Sequence, residues 1–140
     1  MPNQEDIRHG RHCVFALHVH LVFVTKYRRG VLDAPALTWL AQHFAKVCAS
    51  LEAELLACDG EDDHVHLLVA YPPKLAISAL VNSLKGTSSR LLRQIRPSIR
   101  RRYWSGVLWT PSYFAATAGG APLSVLKQYV EQQRAASSPA

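Results

Sequence analysis

Between Cys13 and Val24 every residue is apolar except His18 and His20. Sorted by twos, Cys13, Phe15, Leu17, Val19, Leu21 and Phe23 make one wholly apolar side, while both histidines fall on the other side with Val14, Ala16, Val22 and Val24. This period predicts one long strand, ended by the basic, aromatic turn Lys26, Tyr27, Arg28, Arg29, Gly30. Beyond it the period changes. Pro35 suits a first helical turn, and Leu37, Leu40, Ala41, Phe44, Val47, Cys48 and Leu51 recur at helical spacing. Residues 54–59 and 64–71 then predict two strands of a hairpin around a turn at 60–62, stopped by Pro72 and Pro73. From Leu75 a second helix turns Ile77, Leu80, Val81, Leu84, Ser88, Leu91, Leu92 and Ile95 inward. It sets Asn82, Lys85, Ser89, Arg93 and Arg96 on the opposite stripe. After Pro97 and the Arg100, Arg101, Arg102 cluster, the pattern predicts a strand over 109–117, a connection at Gly119 and Gly120, and a last helix from about Pro122 to Arg134.

The order strand, helix, hairpin, helix, strand, helix predicts an α+β fold of the ferredoxin-like or RRM-like kind. In such a fold helices pack on one face of an antiparallel sheet and the other face is left for function. A chain of 140 residues suits one domain, here 13–134, with a flexible segment 1–12 before it and a flexible tail 135–140. No apolar run approaches the roughly 18 residues of a membrane span, and the N-terminus carries no export signal, so a cytoplasmic protein is expected. Cys13, Cys48 and Cys58 are widely spaced and lack a CxxC pair, which reads as reduced packing residues.

Charge sharpens this picture. From His64 to Val130 there is no acid, while Lys74, Lys85, Arg90, Arg93, Arg96, Arg100, Arg101, Arg102 and Lys127 all fall there, within a chain of net charge +6. Such an uncompensated tract either faces an anionic partner or is a solvated basic surface, and nucleic acid is the leading partner. Lys85, Arg90, Arg93, Arg96 and Arg100 to Arg102 are the candidate phosphate contacts. Tyr27, Tyr103, Trp104 and Trp109 are available to stack bases, although a core role serves each as well; Trp104, beside the arginines, is the preferred stacking candidate.

The candidate chemistry lies in EDDHVHLLV, residues 61–69. In a strand His64 and His66 point the same way while Val65, Leu67 and Val69 take the core, so the two imidazoles can converge on one ion and lack a third ligand. His18 and His20 form a rival pair, but in mid-strand; the neighbouring turn favours His64 and His66, with His20 lining the same face. Asp62 and Asp63 read as turn acids, since Asp63 adjoins His64 and so points to the opposite side. In LKQYVEQQ, Tyr129 and Gln133 stand at i and i+4 on one helical face. The Gln133 amide oxygen could complete a metal shell, with Tyr129 one turn away as a nucleophile; a helix tyrosine that only packs is the plainer reading.

The runs HLVFVTKYRRGVL (20–32), DHVHLLV (63–69), VNSLKGTSSRLLR (81–93), LWTPSYFAAT (108–117) and LKQYVEQQ (126–133) together resemble the single-tyrosine, single-strand DNA transposases of the insertion-sequence 200/605 family. These are HUH endonucleases, and transposases tied to repetitive extragenic palindromes (REP) are their close relations. The resemblance puts the HUH pair on His64 and His66, the nucleophile on Tyr129 and the third metal ligand on Gln133. It implies a divalent ion, Mg2+ or Mn2+; the ligand types suit Mn2+ better and leave zinc open. The implied substrate is single-stranded DNA with imperfect hairpins at element ends, cleaved to a 5′-phosphotyrosine and a free 3′-OH. That bond keeps the phosphoester energy, so no nucleotide cofactor is needed, and the chain has no GxxxxGK[ST] loop. A homodimer is implied in which the tyrosine helix can serve the partner's metal site in trans, with Gly119 and Gly120 in the connection. One departure is visible, Asp62 where the family commonly has Pro, which bears on the turn. The alternatives are a noncatalytic single-stranded nucleic-acid hairpin-binding protein of the same fold and a domesticated transposase. The aromatic signature of an RNA-recognition motif is absent.

Overall fold

The computed structural model describes residues 8–9, 14–15, 17–104, 106–117 and 128–133. In chain order the elements are β1 (Arg8–His9), β2 (Val14–Phe15), β3 (His18–Val24), α1 (Ala34–Ser50), β4 (Glu54–Glu61), β5 (His64–Ala70), α2 (Ile77–Ile95), α3 (Pro97–Arg102) and β6 (Phe114–Thr117). Residues 128–133 are helical and are called α4. The main sheet has the order β4-β5-β3-β6, antiparallel throughout. This is the α+β, ferredoxin-like arrangement that the element order predicts.

Alternation decides the sheet's two faces. Val19, Leu21 and Phe23 of β3 and Val65, Leu67 and Val69 of β5 are fully buried beneath α1 and α2. On α1, Asp33 caps the start by accepting from the Ala36 N–H at 3.0 Å. Ala36, Leu40, Phe44 and Cys48, four residues apart, then line one buried stripe. On α2, Leu80, Val81, Leu84 and Leu92 do the same. Burying each large side chain contributes roughly 1.5–3 kcal/mol, so this face carries most of the fold's stability. Gly60 lets the hairpin close on α1: a Cβ there would meet the His64 carbonyl oxygen at 2.8 Å and Leu37 at 2.9 Å.

Two expected strands are divided. The run 13–24 splits into β2 and β3, and Leu17 at the break is 37% exposed. β3 loses its partner there because β5 ends at Ala70; the last bond runs from the Tyr71 N–H to the Leu17 carbonyl at 3.0 Å, and Pro72, without an N–H, cannot extend the ladder. β2 pairs instead with β1, so Arg8 and His9 form a strand inside the segment expected to be loose. Within 109–117 only Phe114–Thr117 pairs regularly, and Trp109 meets Thr25 in an isolated bridge. The arginine cluster rides on the short α3, begun by Pro97 and anchored by buried Ile99. The remainder of 1–12, Cys13, Gly119 and Gly120, the start of the last helix, Lys127, Arg134 and the tail 135–140 lie outside the described residues. Among the described residues no helix is long and apolar enough to cross a membrane.

Candidate active site

The face of the sheet away from α1 and α2 carries the candidate site residues. His64 and His66 point there because Val65, Leu67 and Val69 take the opposite side. Across the ladder His64 is flanked by Val24 and Glu61, and His66 by Val22 and Asp59. Each imidazole has a distinct partner. His64 Nδ1–H donates to Asp63 Oδ1 at 2.8 Å, leaving Nε2 for a ligand. His66 Nε2 shares a 2.9 Å hydrogen bond with His20 Nδ1, the rings stacked 5.0 Å apart, leaving Nδ1. Burial, with His20 beside it, pushes the His66 pKa below the ordinary imidazole value against the pull of Asp59. The neutral ring this favours is the ligating form. His20, from the rival pair, therefore supports the favoured one, while His18 has a buried Nε2 with no partner among the described residues.

Asp63 departs from expectation. Asp62 is exposed as a turn acid should be, but Asp63 is only 8% exposed. It sits in the turn, where strand alternation does not bind it, and its carboxylate folds back between His64 and Arg28, whose Nε donates to Oδ2 at 2.5 Å. Burial alone would raise the Asp63 pKa; hydrogen bonds from His64 and Arg28, with the Arg28 charge, outweigh it and hold the carboxyl below its usual range. Glu61, Asp63 and His64 have potential ligand atoms within 4.8 Å of one another. Both Asp63 oxygens are already engaged, so the carboxylate orients the histidine, as carboxylates behind metal-bound imidazoles do. The signal in the sequence was an acid directly before the first histidine together with arginines in the preceding turn. That turn is latched to the hairpin: the Thr25 N–H donates to the Asp63 carbonyl and the Leu32 N–H to the Asp62 carbonyl, each at 2.9 Å.

Tyr129 of α4 rests on Val22 and Val24 with Phe114 and Val130, its ring 5.7 Å from that of Phe114. Its hydroxyl lies 2.9 Å from Ser112 Oγ. Because β3 lies between β5 and β6, the phenol sits over the strand adjoining His64 and His66. Gln133, half-buried, follows one turn later. Arg28 spans both parts of the site, since its Nη2 also lies 3.6 Å from Glu131 Oε1 on α4. Two histidines each keeping one ring nitrogen, with a carboxylate behind one of them, offer donors of a kind that fits a divalent cation; Gln133, expected as the third ligand, lies on the same helix as Tyr129.

The expected phosphate contacts divide. Arg90, Arg100, Arg101 and Arg102 are exposed, and Trp104 is 84% exposed. Arg93 Nε donates to the Ser89 carbonyl of its own helix at 3.1 Å, and Arg96 pairs with Asp33. Lys85 and Ser89, expected on the open stripe, face inward instead. Ser89 accepts from the Leu108 N–H at 3.0 Å, and the Lys85 ammonium is held among the carbonyls of residues 110–112, because this segment packs along that side of α2. Ile95, expected inward, is 52% exposed at the helix end. Trp109 and Tyr103 are core residues: Trp109 Nε1–H donates to Ser88 Oγ at 2.9 Å and the Tyr103 hydroxyl to the Lys26 carbonyl at 2.8 Å. Tyr27 is 54% exposed, its ring within reach of Lys26 and Arg29. Cys48 and Cys58 are free thiols, both pushed up to about 11 by burial.

An open sheet face bearing paired histidines, crossed by a helix with a tyrosine, is the layout expected of a tyrosine transposase. The sequence profile of the family described as IS200-like transposase matches residues 13–133. Over 128 residues the chain is 32% identical to the ISDra2 transposase TnpA of Deinococcus radiodurans, covering 91% of each. Over 134 residues it is 26% identical to the transposase for insertion sequence element IS200 of Salmonella typhimurium, covering 95% of this chain and 85% of that one. A solved chain from Deinococcus radiodurans R1, described as a transposase, superposes with a TM-score of 0.80 at 32% identity, covering 90% of this chain and 97% of that one. A REP-associated tyrosine transposase bound to a REP hairpin shares the fold, with a TM-score of 0.54 at 14% identity over 88% of this chain and 67% of that one. The chain belongs to the IS200-like transposase family.

Proposed function

We propose that this protein cleaves and rejoins single-stranded DNA at hairpin-bearing element ends, with Tyr129 as nucleophile and His64, His66 and Gln133 as the residues that hold Mg2+ or Mn2+. One observation carries the reading: His64 and His66 lie on β5, and the phenol of α4 rests on Val22 and Val24 of the adjoining β3, over the same open face of the sheet. Held by His64, His66 and Gln133, a divalent cation would supply charge neutralisation at the phosphate and help orient it for in-line attack. The residues of the chain supply the rest. Asp63 and His20 hold the two imidazoles in one tautomer each. Val22, Val24 and Phe114 wall the ring of Tyr129 and keep water from behind it. The Tyr129 oxygen forms a bond to phosphorus as the P–O3′ bond breaks; the phenol gives up its proton and the departing 3′ oxygen takes one up. The 5′ phosphate stays on Tyr129, and a second 3′-OH reverses the step to join a different strand. No nucleotide cofactor enters the balance.

Hairpin DNA would be held through Arg90, Arg93, Arg96 and Arg100 to Arg102, with Trp104 stacking on an unpaired base. Support comes from the exposure of Trp104 beside the arginines and from the REP-bound relative of the same fold. The active form would be a homodimer, α4 serving its own or the partner's histidines.

A labelled single-stranded end hairpin with Mg2+ or Mn2+ should give a covalent protein-DNA band, lost in EDTA and in Tyr129→Phe. An adduct that survives Tyr129→Phe refutes the nucleophile. His64→Ala should abolish cleavage and leave hairpin binding intact; equal loss of binding would make the histidine structural. A wild-type protein that binds the hairpin tightly yet never forms the band would be a noncatalytic binding protein.

A further inference from the structure

Between the last regular pair of β3 and β6, Val22 with Phe114, and the isolated bridge of Thr25 with Trp109, two residues of one strand (23 and 24) face four of the other (110 to 113). Such an excess makes the longer strand bulge, leaves its carbonyls without ladder partners and re-aims its side chains. Pro111, which has no N–H to offer, lies inside the bulge. Lys85 reaches all three: its Nζ donates to the carbonyls of Thr110 at 2.6 Å, Pro111 at 3.3 Å and Ser112 at 3.2 Å, and the Thr110 hydroxyl donates to the Ser112 carbonyl as well, at 3.2 Å. An ammonium has three donors, and all three are used. The same stretch of α2 pins the approach to the bulge, through Ser88 to the Trp109 indole and Ser89 to the Leu108 N–H. The outward result is Ser112, whose Oγ lies 2.9 Å from the Tyr129 hydroxyl. The apolar wall of Val22, Val24 and Phe114 restrains the ring but gives the hydroxyl no direction; among the described residues that direction comes from Ser112.

We propose that Ser112 is a positioning residue for the nucleophile and that Lys85 holds it in place by clamping the bulge, a role distinct from binding phosphate. The proposal rests on Tyr129 being the nucleophile. A hydrogen bond to Ser112 sets the torsion of the phenolic O–H and so the direction of the lone pair that meets phosphorus. Misdirection of that lone pair lowers the rate of attack without altering how the hairpin is held.

The test uses the full chain and a labelled single-stranded end hairpin at saturating concentration. Adduct formation is followed over about pH 6 to 9, and hairpin affinity is measured against salt. Ser112→Ala, at a solvent-exposed position, should slow adduct formation about ten- to a hundredfold with unchanged affinity, and Ser112→Thr, which restores a hydroxyl, should recover most of the rate. Lys85→Met should slow it comparably with an unchanged salt slope, and the double variant should be little worse than either single one, as for residues acting through one contact. Wild-type rates and pH profiles in both Ser112→Ala and Lys85→Met would overturn the proposal while leaving Tyr129 as nucleophile. A Lys85→Met protein with weakened hairpin binding and a salt slope lower by about one would overturn the clamp and return Lys85 to the phosphates. Failure of the wild-type protein to form any adduct, with Tyr129→Phe alike, would remove the nucleophile reading and this inference together.

Discussion

The two faces of one sheet are built from alternate residues of the same strands, and they answer to different physics. On β5, Val65, Leu67 and Val69 are sealed under the helices, while His64 and His66, which alternate with Val65 and Leu67, stay partly open. The covered face asks for volume and shape, and neighbouring apolar residues could exchange there at modest cost. The open face asks for particular atoms: a ring nitrogen aimed by Asp63, another aimed by His20, a hydroxyl aimed by Ser112. Stability invested on one side frees the other to carry polar groups that contribute little to folding.

The sharpest way to break this contrast is a pair of neighbours. Leu67→Ala should cost about 2–5 kcal/mol in a thermal or denaturant melt, whereas His66→Ala should stay within about 1 kcal/mol yet yield no covalent adduct. Comparable melts for the two would show that the faces do not divide the labour. Asp63→Asn comes next. It keeps the shape but weakens the aim of His64, so Mn2+ affinity read by electron paramagnetic resonance should fall about 10–100-fold. The folded Asp63 pKa lies below its unfolded value, so the stabilisation by its charge is present above about pH 4. It is lost as pH falls through the lowered folded pKa. The gap in melting temperature between wild type and Asp63→Asn should therefore close in acid; a gap that persists there would assign the effect to packing. Smaller still, Trp104→Ala should weaken hairpin binding by about 1–3 kcal/mol with no change in melting, and an unaltered affinity would remove Trp104 from the DNA surface. Least of all, Cys48 and Cys58, pushed up to about 11, should alkylate slowly at neutral pH until the protein unfolds. Rapid labelling of the native chain would show that the covered side opens readily.

Local order and the fold class were readable in the chain; the side-chain contacts between distant elements were not. The extents of α1, β5 and α2 follow from spacing, and the co-facing of His64 with His66 follows from the two-residue repeat of any strand. Lys85 and Ser89 defeated the same reasoning: helical periodicity says which residues share a stripe, but not that the stripe meets a bulged segment instead of solvent. Asp63 defeated it differently, since strand alternation lapses at a turn and its carboxylate was free to fold back.

What the sequence determined alone is therefore the fold class, the main helices and the hairpin, the shared face of His64 and His66, and the residue types able to hold a cation and attack a phosphate, because most of these depend on neighbours a few residues away. Only the folded chain decided that His20 braces His66, that Arg28 links Asp63 to the tyrosine helix and that Lys85 shapes the bulge behind Ser112. Those contacts join residues 25 to 103 positions apart. Their formation depends on sheet order, register and one irregularity in a strand, which no local pattern encodes.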